Sequence, residues 1–173
     1  MTAPPASSRP SRWAVNRPRS LEVVGPDAGQ AIVQLSWGST LVFTISSVAG
    51  LLGPESWATA SAGLSIVLFV VGCVVFLVAY GYAVWRSRLD AMGVGGLFFL
   101  VGSAPTPIRR SLQGSLAVQL VVAVGAASIE PFTAAAFGIL VPILGLALCG
   151  LWGARYGWFE PRSADWVSGV PDE

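Results

Sequence analysis

Apolar runs about as long as a bilayer is thick alternate along this chain with short connections that hold every charged residue. Four runs predict membrane-spanning helices, at 32–52, 62–84, 111–129 and 132–153, because about 20 apolar residues rising about 1.5 Å each cross the hydrocarbon. The second is the most uniform. From Ile66 to Val78 only Gly72 and Cys73 interrupt it, and Tyr80, Tyr82 and Trp85 then arrive just ahead of Arg86, an order that marks a membrane interface. The fourth carries Pro142 near its middle, where a residue without an N–H predicts a kink.

The polar positions inside these runs are ordered. Ser36, Thr40, Thr44 and Ser47 recur at steps of four, four and three, which places them on one face of a helix. Such a stripe serves either as a close-packing surface, since small hydroxyl side chains let membrane helices approach and bond, or as the wall of a pore; packing is the favoured reading. Gln119 is the most polar side chain deep in a run, and amides there usually join helices by hydrogen bonding. On the last run Gly138, Pro142, Gly145, Cys149 and Gly153 make a second small-residue face.

Segment 91–104, AMGVGGLFFLVGSA, is bounded by Asp90 and Pro105 and is too short for a normal span. It predicts a re-entrant or interfacial element, in which Gly93, Gly95, Gly96 and Gly102 allow close backbone approach while Leu97, Phe98, Phe99 and Leu100 enter the lipid boundary. Charge supports that parse. All ten basic residues are arginine and form three clusters: Arg9, Arg12, Arg17 and Arg19; Arg86, Arg88, Arg109 and Arg110; Arg155 and Arg162. Only four spans keep them on one side, away from the connections around Glu55 and Glu130. Arginine-bearing loops stay in the cytoplasm, so both termini are expected there, with the protein in the plasma membrane. Residues 1–30, rich in proline and serine, are expected to form a disordered tail. Residues 154–173 are expected as a second cytoplasmic tail that starts with the interfacial aromatics Tyr156, Trp158 and Phe159. A cleavable signal ending at Ala58-Thr59-Ala60 is disfavoured, because the run before it exceeds the roughly 7 to 15 residues of a signal core.

Composition narrows the class. With 54% hydrophobic and 11% charged residues among 173, against about a quarter charged in soluble proteins, the chain reads as one membrane domain. A net charge of +1 gives no case for nucleic acid. The chain has no histidine, so it cannot by itself build a histidine-ligated haem, a typical zinc site or a Ser-His-Asp triad. The four runs contain no ionisable Asp, Glu, Lys, Arg or His, which disfavours an ion-coupled transporter. Cys73 and Cys149 are expected at depths differing by about 9 Å, too far for an unstrained disulfide. The glycines around Gly93 match neither a P-loop nor a dinucleotide fingerprint.

No catalytic, cofactor or metal site is predicted. Glu55 and Glu130 could act as an acid–base pair only if their connections meet. Arg86, Arg88, Arg109, Arg110 and Arg155 are candidate contacts for anionic lipid, each worth about 1 kcal/mol near headgroups.

The stretches GVGGLFFLVGSAPTPIRRSL and PFTAAAFGILVPILGLALCGLWGARYGWFEPR resemble small four-span membrane proteins of actinobacterial type, over roughly residues 62–162. That resemblance implies a four-span fold and brings neither an activity nor site residues. The expected protein is an all-α polytopic membrane protein with four transmembrane helices and a short re-entrant or interfacial segment. Its leading function is that of a non-enzymatic accessory or scaffold subunit, packing with another membrane protein or with itself as a homo-oligomer in the lipid bilayer. The alternatives are an oligomeric channel lined by the Ser36–Ser47 stripe and Gln119, and a lipid-handling membrane enzyme.

Overall fold

A computed structural model of the chain describes residues 29–131 and 133–161; the expected tail up to residue 28 and the chain beyond 161, with their arginines, lie outside the described residues. Two long helices come first, α1 (Gln30–Leu52) and α2 (Glu55–Arg86). They are followed by the two-residue strand β1 (Asp90–Ala91), the one-turn helix α3 (Val94–Phe98) and α4 (Thr106–Ile129). A 3-10 helix at Ala134–Leu140 leads into α5 (Pro142–Tyr156), and β2 (Glu160–Pro161) pairs antiparallel with β1.

Local chemistry explains the ends. Glu55 stands in the first turn of α2 and Arg86 in its last, each complementing the helix dipole. Pro105, Thr106 and Pro107 open α4, where a proline in the first turn withholds only an N–H that the helix does not use. The same logic changes the fourth span. Pro142 does not kink a continuous helix; it stands at the start of α5, and the residues ahead of it wind as a 3-10 turn with Val141 donating to the Gly138 carbonyl at 3.1 Å. Placing proline at a helix start removes the clash and the lost hydrogen bond that an interior position would impose.

α1 and α4 run away from one end of the bundle, and α2 and α5 return to it. Each helix has two principal neighbours: α1 and α5 both pack between α2 and α4. The α2–α5 contact is the most extensive, and Gly72 makes it possible, because a Cβ there would sit 2.9 Å from the Leu144 backbone nitrogen. Small residues at such crossings let backbones approach. α5 is the central helix, with nine buried residues from Leu144 to Ala154.

The bundle draws small polar side chains inside and turns many large apolar ones outward. Ser36, Thr40, Ser61, Ser65, Ser115 and Gln119 are buried, whereas Leu41, Ile45, Val67, Val74, Leu77 and Val121 are exposed. A surface of this kind is stable against hydrocarbon and not against water. Four helical stretches, including Ala136–Tyr156 as one unit, are long and apolar enough to cross a bilayer. The protein is an all-α, multi-pass membrane protein.

All five described arginines lie at one end: Arg86 closes α2, Arg88 follows it, Arg109 and Arg110 occupy the first turns of α4, and Arg155 the last turn of α5. Glu55 and Glu130 sit at the opposite end. Segment 91–104 enters and leaves at the arginine end. Its apolar residues divide differently from the expected lipid-facing set. Leu97 and Leu100 are buried in the bundle, Phe98 stacks on Phe76 with ring centres 5.3 Å apart, and of these four only Phe99 is exposed.

Candidate functional site

The polar stripe of α1 faces α4 and is closed by it. Gln119 Nε2 donates to Thr40 Oγ1 at 2.8 Å, and the Thr40 hydroxyl donates to the Ser36 carbonyl at 2.7 Å. One turn away, the Ser115 hydroxyl donates to the Leu112 carbonyl at 2.8 Å. Its proton is therefore committed, and the Ser36 hydroxyl is the donor in the 2.5 Å Ser36–Ser115 contact. Two hydrogen-bond relays thus cross between parallel helices in opposite directions, each passing from a side chain through a hydroxyl to a backbone carbonyl. Thr44 is half-buried and bonds back to the Thr40 carbonyl at 2.8 Å, a local bond that lets a hydroxyl remain in an apolar region.

Gln119 is fully buried, and its Oε1 finds no hydrogen-bond donor. That oxygen faces Gly145 of α5 so closely that a Cβ there would lie 2.5 Å from it. The amide is held in this orientation because the Thr40 oxygen needs a donor, its own proton being engaged. Ser47, at the far end of the stripe, lies beside a cavity of about 10 Å³ shared with Gly50, Ala58, Ser61 and Ala126. The stripe's side chains are thus taken up within one chain.

Sequence reading missed the partner stripe. Ser111, Ser115 and Gln119 recur at steps of four on α4, and Ser111 accepts a bond from the Trp37 indole at 2.9 Å. The signal was present: two parallel stripes of matching period predict a seam.

At the arginine end, Arg86 is a clasp. Nε donates to Asp90 Oδ2 at 3.0 Å, and the two terminal nitrogens donate to the carbonyls of Ala154 at 2.9 Å and Gly157 at 3.0 Å. Its guanidinium lies 5.7 Å from the Phe159 ring centre. One side chain therefore ties α2, the C-terminus of α5 and the β1–β2 pair through each of its three nitrogens. Arg88, Arg110 and Arg155 are exposed and Arg109 is half-buried; Arg155 also lies 5.6 Å from the Tyr156 ring centre.

The hairpin between α2 and α4 is fastened from several sides. Gln113 donates to the Phe99 carbonyl, Ser103 to the Gly96 carbonyl, and the Trp158 N–H to the Ser103 carbonyl. Leu100 has φ 56°, the left-handed region that leucine avoids. It is held there because its side chain completes a buried cluster with Leu112, Cys149 and Trp152. Gly29 is needed opposite: φ is 82°, and a Cβ would approach Trp152 Nε1 to 2.3 Å.

At the acidic end, Glu130 accepts a 3.0 Å bond from Thr133, and Glu55 is exposed in the first turn of α2. Thr44, Ile45, Val48, Leu52 and Trp57 line an open apolar groove of about 490 Å³ at this end. Cys73 and Cys149 are free thiols, the latter buried. No group of His, Cys, Asp and Glu among the described residues could hold a metal. No protein-family model, curated protein or solved structure matches the chain.

Proposed function

We propose that this chain is a non-enzymatic accessory or scaffold subunit of the plasma membrane, packing against another membrane protein or against itself, with its arginine end and both termini in the cytoplasm. The carrying observation is a seam on the outside of α2. Gly63, Val67, Val70, Val74, Leu77 and Gly81 follow each other at steps of four and three, all are exposed, and both glycines have open space in front of them. That spacing is the heptad pattern by which two helices interlock, and small residues within it let backbones approach in a membrane. The inward small-residue faces serve the monomer, which leaves the outside of α2 for a partner.

Two further observations agree. The polar seam between α1 and α4 is internally bonded, and no Asp, Glu, Lys, Arg or His lies in the four apolar runs, so the interior offers little to a moving ion or proton. The arginines gathered at one end support the cytoplasmic assignment.

Single cysteines along α2, introduced after replacing Cys73 and Cys149 with alanine and oxidised in native membranes, test the reading. Cross-links are expected at Val70, Val74 and Leu77. Absence of cross-linking together with solute flux in proteoliposomes that is abolished by Thr40→Leu plus Thr44→Leu would replace this reading with permeation.

A further inference from the structure

Two features of the arginine end are unused by the bundle itself. Leu89, Val94, Phe99 and Val101 are exposed although none belongs to a spanning helix. Arg88, Arg109, Arg110 and Arg155 form no ion pair among the described residues, since Asp90 is engaged by Arg86.

One hydrogen bond relates the two features. Gln113 of α4 holds the Phe99 carbonyl, and Arg109 and Arg110 precede Gln113 by four and three residues. All three therefore share one helix face, stacked along the axis. Because α4 starts at the arginine end, the Arg109 and Arg110 backbones stand about 6 and about 4.5 Å nearer that end than Gln113, whose amide holds the Phe99 carbonyl. Side chains on a helix lean toward its N-terminus, so the guanidiniums, like the Gln113 amide, are directed toward the arginine end.

Two cations, unpaired among the described residues and near the start of the helix whose Gln113 holds the backbone of the exposed Phe99, match the chemistry of a phospholipid, charged in its headgroup and apolar within. We propose that Arg109, Arg110 and Phe99 form a binding site for an anionic phospholipid of the adjacent leaflet. The headgroup phosphate is held by the two guanidiniums, whose planar forks suit phosphate oxygens. The first methylenes of an acyl chain lie against Phe99, with the exposed Val101 two residues on. Free phosphate would explain the arginines and leave the exposed Phe99 and Val101 without a role. Arg86 takes no part, because its charge is paired with Asp90 and each of its nitrogens is bonded inside the protein. The site is independent of any protein partner and of which leaflet the arginine end faces.

Native mass spectrometry of the purified full-length protein, released from nanodiscs of mixed phosphatidylglycerol and phosphatidylcholine, tests the site. The wild type is expected to retain phosphatidylglycerol preferentially. Arg109→Gln with Arg110→Gln should lower that retention about thirtyfold, at an unchanged thermal midpoint. Phe99→Ser should lower it while leaving the preference for the anionic headgroup, and Arg88→Gln should leave it unaltered. Three results would overturn the proposal: retention indifferent to the double arginine variant, an equal loss with Arg88→Gln, which is the signature of diffuse charge, or displacement of the lipid by millimolar inorganic phosphate.

Discussion

Thr40 and Gln119 illustrate how a polar residue earns its place inside a membrane protein. The amide of Gln119 donates to a hydroxyl whose own proton is already bonded to the Ser36 carbonyl, so removing Thr40 strands the amide in an apolar interior, while removing Gln119 leaves the Thr40 oxygen without a donor. Thr40→Val and Gln119→Leu should each destabilise the protein by about 0.5–2 kcal/mol, and the double variant by less than their sum. A double-mutant cycle on unfolding in micelles measures that coupling; strict additivity would show that the bond contributes nothing. Gly145 makes a second prediction. Its missing Cβ leaves room for Gln119 Oε1, so Gly145→Ala should cost about 1–3 kcal/mol through overpacking. In a Gln119→Ala background the same substitution should become nearly neutral. At this scale the sequence revealed which residues were polar and on which face. It did not reveal that the Gln119 carbonyl would meet a glycine on a third helix, because that contact depends on how α5 is rotated.

Among the elements, the hairpin between α2 and α4 carries the clearest conflict between local preference and tertiary packing. Leu100 adopts a left-handed backbone that costs a side-chain-bearing residue about 1–2 kcal/mol, whereas truncating a buried leucine costs about 2–5 kcal/mol. Burial wins. Leu100→Gly should therefore be less damaging than Leu100→Ala by about 1 kcal/mol, although Ala is ordinarily the better residue. Thermal midpoints of the two variants in detergent decide the matter, and the reverse order would count against a strained backbone. Arg86 fastens the same region through Asp90 and the carbonyls of Ala154 and Gly157. Arg86→Gln should lower stability by about 1–3 kcal/mol, the scale of charge-assisted hydrogen bonds lost. It should also expose the hairpin to limited proteolysis between Leu89 and Pro105. The shortness of segment 91–104 and the arginines around it excluded a span; which leucines turned inward could not be read, since four consecutive apolar residues carry no period.

For the whole molecule, charge and hydropathy impose one arrangement: every described arginine at one end, Glu55 and Glu130 at the other, apolar side chains outward. Introduced cysteines at Ser87 and Thr106 should be protected from an impermeant reagent in intact cells, while those at Ser56 and Thr133 should react. Labelling at Thr106 with protection at Ser87 would require a fifth crossing. Here the number of spans and the gathering of the described arginines at one end were legible in the sequence alone, because both follow from summed properties: how much apolar length lies between charges, and where the charges stand. Neighbour relations were decided only in three dimensions. The pairing of α1 with α4 depends on two stripes meeting in register, the closeness of α2 and α5 on one glycine facing a backbone, and the division of the last span on Pro142 finding a helix start. Hydropathy is a property of single residues set against lipid, whereas packing is a property of pairs, and in a bilayer it is packing and hydrogen bonding that choose the partners.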